Sequence, residues 1–315
     1  MDTPRFDSTQ PRLVFEDLRK TYGDTVALEG LSLDVHSGEI FGLIGPDGAG
    51  KTTAMRIACG ILLPGGGSAH IMGLDVVKQP MKVKEHIGYM PQRFSLYPDL
   101  TVAENLRFFA DLYGVPRAER LEREQRLMQF SRLEPFRKRR AAQLSGGMKQ
   151  KLALSCTLIH TPDVLILDEP TTGVDPLSRQ EFWGILRELA STGQALLVST
   201  PYMDEALLCN RVALMHRGRV LALGTPQEVT ARFNRKLLEI TGPGLNDARR
   251  ILNQDGIAGI SVARFGDRLH VVYDTVGQEQ AIGQRIAQAN VEHRAVEPTI
   301  EDTFVALMDE GRAAS

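Results

Sequence analysis

The run Gly45-Pro46-Asp47-Gly48-Ala49-Gly50-Lys51-Thr52 follows the pattern G-x-x-x-x-G-K-[ST]. Glycines at these spacings let a backbone curl so that its N–H groups face phosphate oxygens, and a helix starting there adds its positive dipole end. Lys51 is expected to reach the outer phosphates and the Thr52 hydroxyl to bind Mg²⁺. A Gly-rich turn with a chance lysine is the plainer alternative. A second run, Val164-Leu165-Ile166-Leu167-Asp168-Glu169, carries two carboxylates at the end of an apolar stretch. Asp168 suits the metal side of a phosphate site, and Glu169 could polarise an attacking water as general base. Alone, an apolar strand ending in Asp-Glu is common; its weight comes from the phosphate loop. A third run, Leu144-Ser145-Gly146-Gly147-Met148-Lys149-Gln150, puts a serine and two glycines ahead of a helix. That is either another anion site or an ordinary serine N-cap.

In this order and spacing, the three runs resemble the nucleotide-binding domain of ABC transporters, over about residues 12–230. The resemblance implies an α/β P-loop ATPase core that binds ATP and Mg²⁺ and hydrolyses ATP. Two chains would sandwich two nucleotides head to tail, with Ser145, Gly146 and Gly147 touching the nucleotide of the opposite chain. It implies nucleotide contacts along Gly45 to Thr52 and at Thr53, metal contacts at Thr52, Gln92 and Asp168, and catalytic roles for Glu169 and Gln92. Tyr22 matches the aromatic that stacks on adenine, although a core tyrosine would read the same way. Gln92, in Tyr89-Met90-Pro91-Gln92, matches the glutamine near the metal and the attacking water; a surface loop glutamine is the alternative. Gly173-Val174-Asp175-Pro176 matches a loop that crosses the dimer interface, or simply starts a helix.

Two positions depart from the family pattern. Asp47 stands where asparagine is usual, and adds a carboxylate near the phosphates. Pro201, in Ser199-Thr200-Pro201-Tyr202-Met203-Asp204-Glu205-Ala206, stands where the family has a histidine for the γ-phosphate. Proline offers no imidazole and no backbone N–H. None of the seven histidines lies nearby in sequence to replace it, His216 being the closest that follows. The ending Val296-Glu297-Pro298-Thr299-Ile300-Glu301-Asp302-Thr303-Phe304 resembles the subfamily that drives drug, antibiotic or lipid-type exporters, and Met90 to Tyr97 leans the same way.

These residues need strands to aim them. Ile40–Ile44 and Val164–Leu167 read as buried strands, and a helix over Ala54–Leu62 follows the phosphate loop. Further strands are expected at Leu13–Leu18, Leu31–Val35, 68–73, 86–90 and Ala195–Ser199, with a hairpin of Val212–His216 and Arg219–Leu223. Helical spacing marks residues 102–143, the core of an insert at about 93–146. Helices are also expected over Gly147–Ile159 and Ser178–Ser191. After about residue 235 the pattern restarts as β-α-β-β-α-β plus a helix: Lys236–Thr241, Asn246–Gln254, Ile260–Phe265, Leu269–Tyr273, Gln278–Ala289, His293–Val296 and Ile300–Glu310. That order suits a small ferredoxin-like α+β domain. The expected organisation is a flexible 1–11, an ATPase domain over 12–235 and an accessory domain over 236–315.

The chain has 315 residues, a net charge of −2 and 43% apolar residues. The near-balance of charge argues against a nucleic-acid partner. Cys59, Cys156 and Cys209 show no metal spacing and read as buried thiols. Residues 1–10 lack the apolar stretch of a signal peptide, and no run reaches the length that spans a bilayer. The partners that the resemblance implies are separate transmembrane permease subunits and a second ATP-binding chain, in a homodimer or a heterodimer. The expected place is the cytoplasmic face of a membrane, held peripherally. The rival readings are a regulatory ATP-binding subunit with little hydrolysis, kept open by Pro201, and a soluble non-transport ABC ATPase of DNA repair or translation. The long coiled-coil insertions, zinc modules or second cassette usual in the latter do not occur in this sequence.

Overall fold

The computed structural model describes residues 10–93, 96–254 and 257–313, and the chain divides into two compact units between Pro226 and Gln227. The expected division stood at 235/236. Residues 1–9, and Phe94 and Ser95 within the run 90–97, lie outside the described residues.

In the first unit the strands are β1 (Leu13–Tyr22), β2 (Thr25–Val35), β3 (Ile40–Ile44), β4 (Gly66–Ile71), β5 (Leu74–Asp75), β6 (Ile87–Met90), β7 (Val164–Asp168), β8 (Ala195–Thr200), β9 (Arg211–His216) and β10 (Arg219–Gly224). Its helices are α1 (Lys51–Ala58), α2 (Pro80–His86), α3 (Val102–Leu112), α4 (Arg117–Phe130), α5 (Gly146–Leu158) and α6 (Pro176–Ser191), with α7 (Pro226–Thr230) at the division.

β1, β2, β4 and β5 form an antiparallel sheet in the order β2-β1-β4-β5. A second sheet runs β10-β9-β3-β8-β7-β6, with every pair parallel except β10 with β9. Every residue of β3 and β7 is buried, which explains their unbroken apolar runs: a central parallel strand is covered on both faces. One apolar core joins Leu13, Phe15 and Leu31 of the antiparallel sheet to Phe41, Ile166 and Leu197 of the parallel one, with Ala54 and Ile57 of α1 in it. The helical insert packs against α5 in a separate core of Val102, Leu106, Met128, Leu152 and Cys156. There α3 opens with a capping box, Thr101 and Glu104 each satisfying the other's backbone N–H.

Parallel order brings the ends of β3, β7 and β8 side by side. Ile44 pairs with Thr200, and Asp168 with Ser199. Loops at the carboxyl ends of such strands form the ligand crevice of open α/β sheets, and the phosphate loop and Asp168-Glu169 leave from that edge.

The second unit holds β11 (Lys236–Thr241), α8 (Leu245–Gln254), β12 (Ser261–Phe265), β13 (Arg268–Tyr273), α9 (Val276–Ile286), β14 (Glu292–Ala295) and α10 (Ile300–Ala313). Its sheet is antiparallel in the order β12-β13-β11-β14. Leu238 and Ile240 of β11 and Leu269 and Val271 of β13 pack with Leu252 of α8 and Ile282 and Ile286 of α9. The alternating residues Glu239 and His270 point to the other face, where Asp302 of α10 meets His270.

Some elements depart from the sequence expectation. β1 and β2 are longer, because their hairpin carries pairing out to Tyr22 and Thr25. α1 begins at Lys51, before the apolar spacing starts, because Gly50 in the left-handed region (φ 104°) caps it. α2 has no counterpart in the expected elements. It buries only Val83, so it leaves no periodic apolar stripe in the sequence.

Candidate functional site

The phosphate loop lies between the end of β3 and the start of α1. Gly50 is fixed in type twice: its φ of 104° is one that L side chains rarely adopt, and a Cβ there would stand 2.3 Å from the carbonyl oxygen of Ala27. Ala49 is buried while Asp47 and Gly48 are exposed, so the loop turns its middle outward. Lys51 curls back over the loop. Its buried ammonium donates to the carbonyl oxygens of Gly45 (2.7 Å) and Pro46 (3.1 Å) and pairs with Glu169 Oε1 at 3.3 Å.

The carboxylates meet the loop from β7. Thr52, on the first turn of α1, donates to Asp168 Oδ1 at 3.1 Å. Gln92, just past β6, donates its side-chain amide to Glu169 Oε2 at 2.8 Å, and Thr172 Oγ1 donates to the same oxygen at 3.3 Å. The structure thus brings Gly45, Pro46, Lys51, Thr52, Gln92, Asp168 and Glu169 into one hydrogen-bonded cluster. Thr53 lies one residue further along α1 and is half-buried. Such a cluster can do two things. A fixed ammonium and a helix N-terminus attract phosphate, and a carboxylate braced by an amide can accept a proton from water.

Tyr22 ends β1, with its ring exposed and the Lys20 ammonium 5.6 Å from its centroid. It is therefore not the core tyrosine that the sequence left open. Ser145 caps α5 and accepts the Met148 N–H at 3.3 Å. The turn it starts packs on α6: a Cβ on Gly147 would lie 2.5 Å from Ser178 Cβ, and one on Gly146 would lie 3.6 Å from the Gly173 oxygen. Asp175 caps α6 through the Ser178 N–H at 2.9 Å. The serine–glycine turn and the loop after Glu169 are thus built against each other.

Pro201 directly follows β8, whose last residue Thr200 accepts the Gly45 N–H at 3.2 Å. The proline therefore borders the base of the phosphate loop. Three first-unit histidines are committed elsewhere, His36 to Asp34, His86 to Asp163 and His160 to the Ile87 carbonyl.

Sequence reasoning passed over several side chains that hold this corner. Ser199 touches both Asp168 and the Glu169 backbone. Glu205 is buried and accepts from Thr171 Oγ1 (2.8 Å) and Thr200 Oγ1 (2.5 Å), with Arg179 Nε at 3.5 Å. Arg179 in turn lies over the Tyr202 ring at 4.2 Å. A buried glutamate between two threonines ties the loop after β7 to the end of β8. The one signal for Ser199 was a hydroxyl closing the apolar run of β8. The thiol of Cys59, packed in the core beside this corner, is pushed well up by burial and further by the Asp168 charge, so it is not a nucleophile at neutral pH.

The family model described as ABC transporter matches residues 28–172. The chain is 40% identical over 300 residues to the Nod factor export ATP-binding protein I of Burkholderia pseudomallei (strain 1710b), covering 93% of this chain and 95% of that one. The chain belongs to the ATP-binding proteins of ABC transporters. It is also 43% identical over 286 residues to the probable multidrug ABC transporter ATP-binding protein YbhF of Escherichia coli (strain K12), covering 90% of this chain and 50% of that protein. The chain thus spans about half the length of that relative. Among solved structures it matches an ATP-binding subunit of an ABC transporter, with a TM-score of 0.63 at 33% identity over 70% of this chain and 92% of that one. It also matches a dimeric ATP-binding cassette in a post-hydrolysis state bound to ADP and Pi, with a TM-score of 0.61 at 26% identity over 68% of this chain and 98% of that one. The ABC ATPase cassette fold expected from the sequence is the fold of the first unit, and the exporter names of the relatives agree with the expected subfamily.

Proposed function

We propose that this chain is the motor subunit of an ABC exporter: it binds MgATP, pairs with a second ATP-binding chain around it, and hydrolyses it to move separate membrane subunits. The observation that carries this reading is the convergence of Lys51, Thr52, Gln92, Asp168 and Glu169 at the ends of β3, β6 and β7. Lys51 holds the outer phosphates, the loop N–H groups hold the inner ones, and Tyr22 stacks on the base. Glu169 takes the proton of the attacking water, and Gln92 orients the Glu169 carboxylate. Ser145, Gly146 and Gly147 reach the nucleotide held by the partner chain.

The donor set fits Mg²⁺. Thr52 hydroxyl, Asp168 carboxylate and Gln92 amide supply hard oxygens, and among the described residues no cluster of three or more His, Cys, Asp or Glu forms a cage of its own. A cation shared between a few protein oxygens and substrate phosphates is the usual manner of Mg²⁺ binding. When bound it would screen the phosphate charge against Asp168 and Glu169.

Among the described residues no helix is long and apolar enough to cross a membrane; we place the chain at the cytoplasmic face, attached through membrane subunits, because its relatives are ATP-binding proteins of ABC transporters. A groove of about 390 Å³ between the loop after β6 and α5, lined by Gln92, Arg93, Leu96, Pro98, Lys149 and Gln150, suits a helix of such a subunit. Tyr97 and Phe108, exposed and 4.4 Å apart, offer apolar area on the same helical insert. The relatives' names, multidrug and Nod factor export, favour an exported cargo, which we take to be drug-like or hydrophobic. We read the second unit as a ferredoxin-like accessory domain, which its strand order supports. A regulatory subunit with little turnover is the second reading, favoured by Pro201 beside the phosphate loop.

The reading is tested by light scattering of the Glu169→Gln chain. MgATP should convert it from monomer to dimer while ATP stays bound. A chain that binds no ATP, or shows no ATP-dependent change of mass alone or with its partner subunit, would overturn it.

A further inference from the structure

The end of β8 departs from the family at Pro201, yet it still supplies two side chains to the catalytic corner, both hydroxyls. Thr200 is turned away, donating to Glu205 and accepting the Tyr202 N–H at 3.1 Å. Ser199 is turned inward and has no exposed surface. From its position opposite Asp168 in the parallel register, its Oγ donates to Asp168 Oδ1 at 2.7 Å and accepts the Glu169 N–H at 2.9 Å. The direction of both bonds is fixed by chemistry. A backbone N–H can only donate, so the hydroxyl receives there and its single proton goes to the carboxylate.

We propose that Ser199 is a positioning residue for hydrolysis, one hydroxyl that sets the Asp168 carboxylate and the Glu169 backbone relative to each other. Glu169 needs such a restraint. Its φ of 50° lies in the left-handed region, which a side chain with a Cβ adopts only at a cost. Its N–H is held twice by Ser199, through Oγ at 2.9 Å and the carbonyl oxygen at 3.2 Å. That turn delivers the Glu169 carboxylate to Lys51 and Gln92 rather than along the strand. On the other side Asp168 Oδ1 takes two hydroxyl protons, from Ser199 and from Thr52. Two donors on one oxygen fix the plane of the carboxylate. Ser199 thus reaches the base through its backbone and the metal-side carboxylate through its proton, and its hydroxyl donates and accepts within the protein.

This inference rests on the hydrolytic reading above and deepens it. Removing the hydroxyl should leave the phosphate loop intact, because Lys51 and the loop N–H groups do not depend on it. The full chain with Ser199→Ala should then bind ATP in EDTA as the wild type does. The gain in ATP affinity on adding Mg²⁺ should shrink several-fold, KM for MgATP should rise by no more than that, and kcat should fall by about tenfold, the scale of one lost hydrogen bond to a charged group. Ser199→Cys, with a weaker donor and acceptor, should fall between serine and alanine, and it carries the test if the alanine chain does not fold. In a Glu169→Gln background the Ser199→Ala change should cost less in kcat than it does in the wild type, since the share that acts through Glu169 is already gone, while the Mg²⁺-dependent loss through Asp168 remains.

A buried serine that merely fills space would behave otherwise. It would lower thermal stability while kcat per folded molecule and the Mg²⁺-dependent gain stayed at wild-type values, and that result would overturn the proposal. Losses that multiply in the double variant would overturn it as well. A failure of the underlying reading shows separately, because the wild-type chain would then bind no ATP before any variant is made. If the wild type binds ATP without measurable turnover, the Mg²⁺-dependent affinity decides alone.

Discussion

At the end of β7, Asp168 and Glu169 are buried to within a few per cent of complete; on the outer face of the carboxy-terminal sheet, Glu239 and Asp302 are buried just as deeply. Their partners differ. Glu239 accepts Arg294 at 2.7 Å and Arg268 at 2.8 Å, and Asp302 accepts His270 Nδ1 at 2.6 Å. Asp302 also forms a reciprocal cap with Thr299 at the start of α10. Two carboxylates there meet two guanidinium groups and an imidazole. At β7 two carboxylates meet one ammonium, which also serves loop carbonyls, and the remaining donors are neutral hydroxyl, amide and N–H groups. Burial alone does not mark a site. A buried acidic pair short of cations, beside a loop that presents N–H groups, is arranged for a ligand that brings its own positive charge. A pair already matched by cations is arranged for stability.

The charges respond accordingly. Arg294 foremost, with Arg268, outweighs burial and holds the Glu239 carboxyl below its ordinary value. The hydrogen bond to Asp302, more than the opposing burial, raises His270 above 6.5. Burial is the largest influence on Asp302 and pushes it up, but His270 and Thr299 together outweigh it and leave it below 3.8.

The sharpest break in the comparison is a conservative amide in each cluster. Glu169→Gln should slow hydrolysis by about 10²–10⁴-fold, the range for losing a general base, with ATP still bound. Asp302→Asn should leave hydrolysis at its wild-type rate and loosen only the second unit. Equal effects on turnover would erase the distinction between the clusters.

Pro201→His comes next. If the proline removes a γ-phosphate contact, restoring an imidazole should raise turnover, up to the roughly 10²–10³-fold that such contacts supply, provided the loop relaxes. The wild-type homodimer should be slow, and faster when paired with a second ATP-binding chain that carries the histidine. Strong homodimer turnover, unchanged by the substitution, would assign the histidine's work to another group.

A smaller effect belongs to the closed cluster. Because the folded pKa of His270 is raised, its contribution to stability is complete below pH 6.5 and is lost as pH climbs through the folded value. Asp302, depressed, contributes above pH 3.8 and loses its contribution as pH falls through its folded value. Protection factors of β13 amides in the full chain, with exchange corrected for the intrinsic rate at each pH, should therefore be highest between these limits and fall above pH 6.5, a fall that His270→Gln should abolish. The smallest effect is on nucleotide affinity when residues 236–315 are removed: a folded fragment ending at 235 should bind ATP as the full chain does.

What could be read from the sequence followed how local each signal is. The phosphate loop, its strand and helix are contiguous, so the pattern at 45–52 located them together. Asp168 and Glu169 were visible because a central parallel strand is an unbroken apolar run that stops abruptly at charge. Gln92 and Tyr22 came from the resemblance, since nothing in their own neighbourhoods marks them. Ser199 and Glu205 escaped because their partners lie 31 and 34 residues away across β7 and β8, a distance set by strand register. His270 and Asp302, 32 residues apart, escaped for the same reason. α2 escaped because a helix that buries one side chain has no period to detect.

The central claim is that the cation-poor corner at β3 and β7 holds the phosphates of MgATP, and equilibrium binding of MgATP to the full chain carrying Lys51→Ala tests it most directly. The account predicts that affinity falls by at least about a hundredfold, because the outer phosphates lose their fixed cation, while circular dichroism shows the chain still folded. A folded variant that binds MgATP with wild-type affinity would contradict it.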